Sequence, residues 1–453
     1  MHVKGREARL LFSILALLLL LVFLIEPRVF SFERGAHFNW VPIHSLAITS
    51  HSNWSSGFVG FSCRLSDFSK DAKETFIYEY FNRYPIFFAV ASNLLLSLLG
   101  KTTAAYLLVS KQLMNAIFVL TLGFLYLSLR ELRLSRIASA LGVLAIAASP
   151  LWLNYRPMYH FDQPGLLGYC ICLYGYSAWI RGARLDGRSP HHLRFLLVAI
   201  AGALLGRSFI TPMFLGATAL MAFLKGAPRK DKFYLLLAAL FTSASIVTAA
   251  VYASAVESIM NRSADRSSVA SVAVFQSAQR RLGLPSATWP DAQKSDLAWS
   301  SAIKELTESV ANLLPSLPFL LLGLIGLWLL IRPFRPSADL RASQAGGLET
   351  RSQALPLDVW LATFLASLGW LVLFKNLIVF HDYTVIFLVP WLALTAGILI
   401  EAFLATPADW GLGARARQAM AISMVVIVTS CFLSGYVDSI QAWRVSTANR
   451  AKL

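Results

Sequence analysis

The sequence predicts an all-α fold: a polytopic transmembrane helix bundle of about eleven spans, with a long outer-face loop carrying amphipathic helices. Three observations carry this expectation. Of 453 residues, 57% are hydrophobic and 14% charged, against about 25% charged in an ordinary soluble domain. The apolar residues gather into runs of roughly 16–25, long enough to cross a hydrocarbon layer of about 30 Å. Basic residues recur in alternate loops, as the positive-inside rule requires. Together these exclude an ordinary cytosolic enzyme, a disordered chain and a disulfide scaffold.

The first span is expected at 10–25. Its basic start, MHVKGREAR, resembles a signal peptide, but the apolar run from Leu10 to Ile25 is long for one and no Ala-x-Ala site follows. It reads as an uncleaved span with its N-terminus in the cytoplasm. Further spans are expected at 103–129, 135–153, 165–180, 194–206, 209–224, 233–254, 311–331, 357–375, 383–404 and 418–437. On that reading each short cytoplasmic loop is basic: Arg130, Arg133 and Arg136 share one, Lys225, Arg229, Lys230 and Lys232 another. The stretch Pro85–Gly100 must then not cross, and is expected as a helix embedded on the outer side. The C-terminus ends outside.

Two outer loops are long, 27–84 and 255–310. Loops of that length are usually functional or disordered. The cytoplasmic loop 333–355 is rich in Ala, Ser and Gly and reads as a flexible connector. The organisation is a membrane core over 1–405, with the first outer loop and its juxtamembrane helices at 27–100 and the second at 255–310, followed by a C-terminal span and outer tail at 406–453. Gly206-Arg207-Ser208 interrupts two short apolar segments; such breaks mark transporter sites or simply a tight hairpin. The net charge of +16 reads mainly as topology signals, with a share available to phosphate head groups. No soluble basic domain remains once the spans are removed, so nucleic acid is not an expected partner. Of the cysteines, Cys170, Cys172 and Cys431 lie in apolar spans and only Cys63 in a polar loop, which argues against a structural disulfide.

Chemistry-bearing residues gather in three clusters on the expected outer face. The first holds His37, His44, His51 and the segment Tyr78–Pro85, which includes Glu79 and Arg83. The second is Tyr155–Pro164, with Arg156, His160 and Asp162. The third is Phe380-His381-Asp382-Tyr383. A carboxylate here can serve as general base on a hydroxyl, His with Asp can hold a divalent metal, and Arg can neutralise a phosphate leaving group. The same residues also suit plainer roles. His160 and Asp162 fit a cap before the Asp-Gln-Pro helix start, His381 and Asp382 fit another, and the Tyr and Trp residues fit an interfacial belt.

The arrangement resembles the GT-C superfamily of integral-membrane glycosyltransferases, most closely the branch of protein O-mannosyltransferases, aminoarabinose transferases and Rgt-type sugar transferases. The likeness is carried by Tyr80-Phe81-Asn82-Arg83-Tyr84-Pro85 entering an outer-face helix, and by the basic turn Leu129-Arg130-Glu131-Leu132-Arg133. It is carried further by Ala148-Ser149-Pro150-Leu151-Trp152 leading to Tyr159–Pro164, and by His381-Asp382-Tyr383-Thr384 ahead of a span holding Pro390. One departure stands out. The acidic residue that such enzymes usually carry soon after the first span is missing from Asn39–Ala47, where His44 stands, with Glu33 and Glu79 as other candidates.

The resemblance implies transfer of a sugar from a polyprenyl-phosphate donor to an outer-face lipid, glycan or protein acceptor, in a bacterial inner membrane. It implies Asp162, His160 and His44 as catalytic residues, and Arg83, Arg156, Arg207, His381 and Asp382 as binders of the donor phosphate. A divalent metal is a further implied cofactor, with His160, Asp162 and His381 as candidate ligands. The competing readings are a transporter or flippase of lipid-linked sugars and a catalytically silent scaffold.

Overall fold

The computed structural model describes residues 60–65, 76–81, 86–100, 102–147, 149, 152, 156, 162–184, 192–206, 208–263, 303–304, 306–307, 348–374, 382–409 and 423. Helices dominate. They are α1 (Ile86–Leu99), α2 (Thr103–Glu131), α3 (Arg136–Ala147), α4 (Asp162–Arg184), α5 (His192–Gly206), α6 (Ile210–Leu224), α7 (Arg229–Ser263), α8 (Leu348–Leu373) and α9 (Val389–Asp409), with a 3-10 helix at Asp382–Leu388. The expected spans at 10–25 and 311–331, and that at 418–437 apart from residue 423, lie outside the described residues.

The chain punctuates itself where local chemistry demands. Thr102 caps α2 by accepting the Ala105 N–H at 3.2 Å. After α2, Arg133 takes a left-handed φ of 66° and the Arg130 guanidinium donates to the Leu134 carbonyl, closing a tight turn. Gly226, at φ 65°, turns α6 into α7. Pro390 sits in the first turn of α9, where a missing N–H costs nothing, and it divides the single span expected at 383–404 into the 3-10 helix and α9.

Two expectations change. The first outer loop carries an antiparallel strand pair, β1 (Gly60–Leu65) and β2 (Phe76–Phe81), in register from Gly60 opposite Phe81 to Leu65 opposite Phe76. Phe-Ile-Tyr-Glu-Tyr-Phe is aromatic and β-branched, which suits a pleated ribbon more than an amphipathic helix. The connector 333–355 is helical from Leu348 onward, where Leu, Glu, Arg, Gln and Ala favour helix.

Contacts between helix ends show how the chain runs. Arg181 near the end of α4 pairs with Glu131 at the end of α2, 2.8 Å apart. Lys225 after α6 pairs with Asp358 of α8. The Ser135 N–H, just before α3, donates to Glu401 of α9 at 2.7 Å. These residues mark one end of the bundle, the basic end. At the other end Gly206 lies against Gly165, and Phe209 lies 6.5 Å from Phe374. Successive helices from α2 to α7 therefore alternate in direction. Trp152, Tyr169, Phe214 and Phe387 are the largest fully buried side chains and form the core between them.

The outward surface is apolar. On α7, Phe233, Leu236, Leu240, Val247 and Val251 follow helical spacing and are each 48–66% exposed. Gln112–Glu131 and Arg229–Val256 are long and apolar enough to cross a membrane. An exposed stripe of large apolar side chains on such a helix suits lipid, not water.

α4 and α5 meet along glycines. A Cβ at Gly202 would sit 2.5 Å from the Gly168 carbonyl oxygen, and one at Gly206 would overlap the Gly165 backbone. A Cβ at Gly216, by contrast, meets nothing within 4 Å. Gly206→Ala should therefore destabilise by about 1–3 kcal/mol through overpacking, whereas Gly216→Ala should be neutral or stabilising by up to about 1 kcal/mol. Thermal unfolding in detergent checks this; equal shifts for the two variants would contradict the glycine contact.

Candidate active site

Asp162 is the first residue of α4 and is 6% exposed. The sequence Asp-Gln-Pro-Gly makes a helix start here: Pro164 tolerates the first turn, and an acid there meets backbone N–H groups that have no partner within the helix. The next residue, Gln163, is buried and accepts a hydrogen bond from the Trp152 Nε1–H at 3.2 Å. Trp152 is itself fully buried, and its backbone N–H donates to Ser149 Oγ at 3.3 Å. Its ring stands edge-on to Phe118 of α2, with centroids 4.7 Å apart.

Arg156 approaches the same Phe118 ring, with its guanidinium carbon 5.6 Å from the centroid. It is 5% exposed. Phe118 is thus shared by Arg156 and by the Trp152 that anchors Gln163. The second sequence cluster is in this way tied to the bundle by two aromatic rings and one hydrogen bond.

Two further segments close on the start of α4. Ser208 is buried, and a Cβ on Gly165 would lie 3.0 Å from its own Cβ. The Phe387 ring lies 3.5 Å from that same point. Phe387 belongs to the 3-10 helix that Asp382 opens; its carbonyl accepts from Ser367 Oγ at 3.4 Å, and its ring stands 4.6 Å from Trp370 of α8. The Asp162 end of the bundle therefore gathers the start of α4, the residues on either side of position 207, and the 3-10 helix beginning at Asp382.

Asp162 and Arg156 are the candidates whose side chains the structure describes, and both are buried at this end. Asp382 is described in its backbone alone. His44, Arg83, His160, Arg207 and His381 lie outside the described residues. Glu79, an alternative acid, stands in β2 opposite Ser62. Among the described residues no three His, Cys, Asp or Glu side chains converge as a metal would require. Of the candidate ligands His160, Asp162 and His381, Asp162 alone lies among the described residues.

Phe118 belongs to this end of the bundle and was not singled out by sequence, whereas Trp152, Gln163 and Ser208 stand in sequence motifs that assign them no such contacts. Gln163 carried the available signal, since a polar amide inside an apolar helix needs a partner.

No protein-family model matches the sequence, and no curated protein matches it. A solved structure does. The fold is similar to the crystal structure of an oligosaccharyltransferase from Archaeoglobus fulgidus, determined as a complex with Zn and sulfate, with a TM-score of 0.52 and 13% identity. The match covers 95% of this chain and 53% of that one, so this chain spans about half the length of that protein. The likeness is one of overall helical architecture. Two of the helices in this shared architecture, Gln112–Glu131 and Arg229–Val256, are long and apolar enough to cross a membrane.

The anchor beneath Asp162 can be tested directly. Gln163→Leu should leave the buried Trp152 N–H without its acceptor and cost about 1–3 kcal/mol. Detergent melting curves decide it; a Leu variant as stable as wild type would remove this hydrogen bond from the account.

Proposed function

We propose that the protein is a membrane glycosyltransferase that moves a sugar from a polyprenyl-phosphate donor to a hydroxyl of a lipid, glycan or protein acceptor. The observation that carries this reading is the buried carboxylate of Asp162, at a helix N-terminus at one end of a GT-C-like bundle. The neighbour's name, oligosaccharyltransferase, supports the reaction class. The expected topology puts the Asp162 end on the outer face of a bacterial inner membrane, opposite the basic end.

In this proposal the acceptor oxygen attacks the anomeric carbon as the bond from that carbon to the phosphate oxygen breaks. The electron pair of that bond leaves with the polyprenyl phosphate. The acceptor proton passes to the Asp162 carboxylate, and the anomeric centre inverts. Arg156 offsets the charge that builds on the departing phosphate, with Arg83, Arg207, His381 and Asp382 as further proposed contacts. His160 is proposed beside Asp162, and His44 in place of the early acid. The aromatic surround of Phe118 and Trp152 lowers the local dielectric, which strengthens each of these electrostatic interactions.

The test is transfer in proteoliposomes, using radiolabelled polyprenyl-phosphate sugars and a total envelope extract as acceptor. Wild type should label an acceptor, and Asp162→Asn should slow transfer by about 10²–10⁴-fold, the usual worth of a general base. Transfer by the Asn variant at the wild-type rate would remove Asp162 from the chemistry. Labelled lipid that crosses the bilayer with no acceptor labelled would replace the transferase reading with a flippase.

A further inference from the structure

A second site lies at the basic end, far along the helices from Asp162. There α5 begins at His192, and the His192 ring stacks on Tyr234 of α7, with centroids 4.0 Å apart and planes 3° from parallel. Trp179 of α4 backs His192 at 5.7 Å and is itself stacked on Phe195. His192 is thereby held in one orientation and is only 6% exposed. Among the described residues neither Nδ1 nor Nε2 has a hydrogen-bond partner. A buried imidazole without a partner is costly, so such a group marks a place where a partner belongs.

The space beside it is large. A cavity of about 650 Å³ is lined by His192, Leu193, Arg194, Leu197, Val198 and Tyr234. Its walls are of two kinds. Arg194 lines it, and the charges of Lys230 and Asp231 act on His192 from α7. The rim at His192 thus carries the cations of Arg194 and Lys230 against the single acid Asp231. The other wall is apolar and opens outward: Leu193 is 67% exposed and Leu197 59%.

We propose that this groove between α5 and α7 binds an anionic phospholipid, its phosphate at His192 and Arg194 and one acyl chain along Leu193, Leu197 and Val198. The two walls decide the class of ligand. A soluble anion would use the basic wall and leave the leucines bare. A zwitterionic lipid would cover the leucines but gain less from a net-positive rim. An anionic lipid satisfies both, and basic clusters beside membrane helices attract such head groups. A phosphate oxygen is also the acceptor that a His192 N–H lacks. This proposal does not depend on the transferase reading.

The experiment uses the full-length protein in nanodiscs of phosphatidylcholine with a minor fraction of phosphatidylglycerol. A photo-crosslinking residue replaces Leu197, and mass spectrometry identifies the attached lipid. Phosphatidylglycerol should attach at about fivefold or more above its mole fraction, the preference one well-placed cation provides. Arg194→Gln should return attachment towards the mole fraction, and Arg194→Lys should retain most of the preference. Because His192→Gln disturbs a buried stack, it is read only alongside an unchanged melting temperature, and should then also lose the preference. Millimolar inorganic phosphate should not compete. Attachment at the mole fractions, no lipid attached, or equal competition by inorganic phosphate would each overturn the proposal.

Discussion

The close approach of α4 and α5 sets the positions of the groups around Asp162. Gly168 faces Gly202 and Gly165 faces Gly206, so backbone meets backbone with no side chain between. Lipid tails are as apolar as leucine, so helices in a bilayer gain little from burying apolar surface against one another. Close packing carries the association instead, and small residues four apart permit it. Gly202-Ala203-Leu204-Leu205-Gly206 has that spacing. At Gly206 the two helices are in contact at the very start of α4, so the chain that continues to Ser208 is set beside Pro164 and Gly165. A second contact of the same kind joins α3 to α9, where a Cβ at Gly142 would lie 2.7 Å from the Gly397 backbone. The absence of side chains at these points fixes where the neighbouring side chains stand.

The two ends of the bundle are held by different forces. At the basic end, ion pairs link α2 to α4 and α6 to α8, and Glu401 takes the backbone N–H ahead of α3. Arg181 and Lys225 remain partly exposed while their acidic partners are nearly buried. That asymmetry is what long cationic side chains allow, since they reach toward water while their stems cover apolar surface. A buried acid left without its cation would be strongly destabilising, so these pairs lock the helix ends. At the Asp162 end the joints are aromatic rings and backbone contacts: Phe118 with Trp152, Phe387 with Trp370, Gly165 with Gly206. Structural charge is concentrated at one end, and the candidate chemistry at the other.

Much of this was legible because membrane helices announce themselves. Long apolar runs, the basic turns at Arg130–Arg136 and Lys225–Lys232, and the Asp-Gln-Pro start at Asp162 each have a local cause that a single sequence displays. What stayed hidden has non-local causes. The pairing of Gly60–Leu65 with Phe76–Phe81 requires two segments ten residues apart to find a register, and their aromatic residues read equally as an interfacial belt. The glycine contact needs two helices at once; Gly206-Arg207-Ser208 alone reads as a hairpin or a transporter break. Trp152 and Gln163 form their bond across eleven positions of sequence. His192 carries no signal of its own in the sequence, because stacking on Tyr234 across α5 and α7 cannot be read from either helix.

The position of Asp162 at a helix start, and not within a span, follows from what the proposed chemistry demands. A base that takes a proton from an acceptor hydroxyl must meet that hydroxyl from the aqueous side. A phosphate on a lipid tail cannot leave the interface. The two requirements coincide only near the end of a spanning helix. A helix N-terminus satisfies them together, because its backbone N–H groups point outward and favour negative charge over the last turn before water. The opposite helix ends present carbonyls, which favour cations, and there the chain places Arg130, Arg181 and Lys225. In the alternating run from α2 to α7, α4 has its N-terminus at one end and α2, α4 and α6 all have their C-termini at the other. At that same end α3, α5 and α7 begin, with Arg136, Arg194 and Arg229 in their first turns. The dipoles therefore favour the cations on one half of the helices and oppose them on the other, and the charge asymmetry follows the loops and not the dipoles.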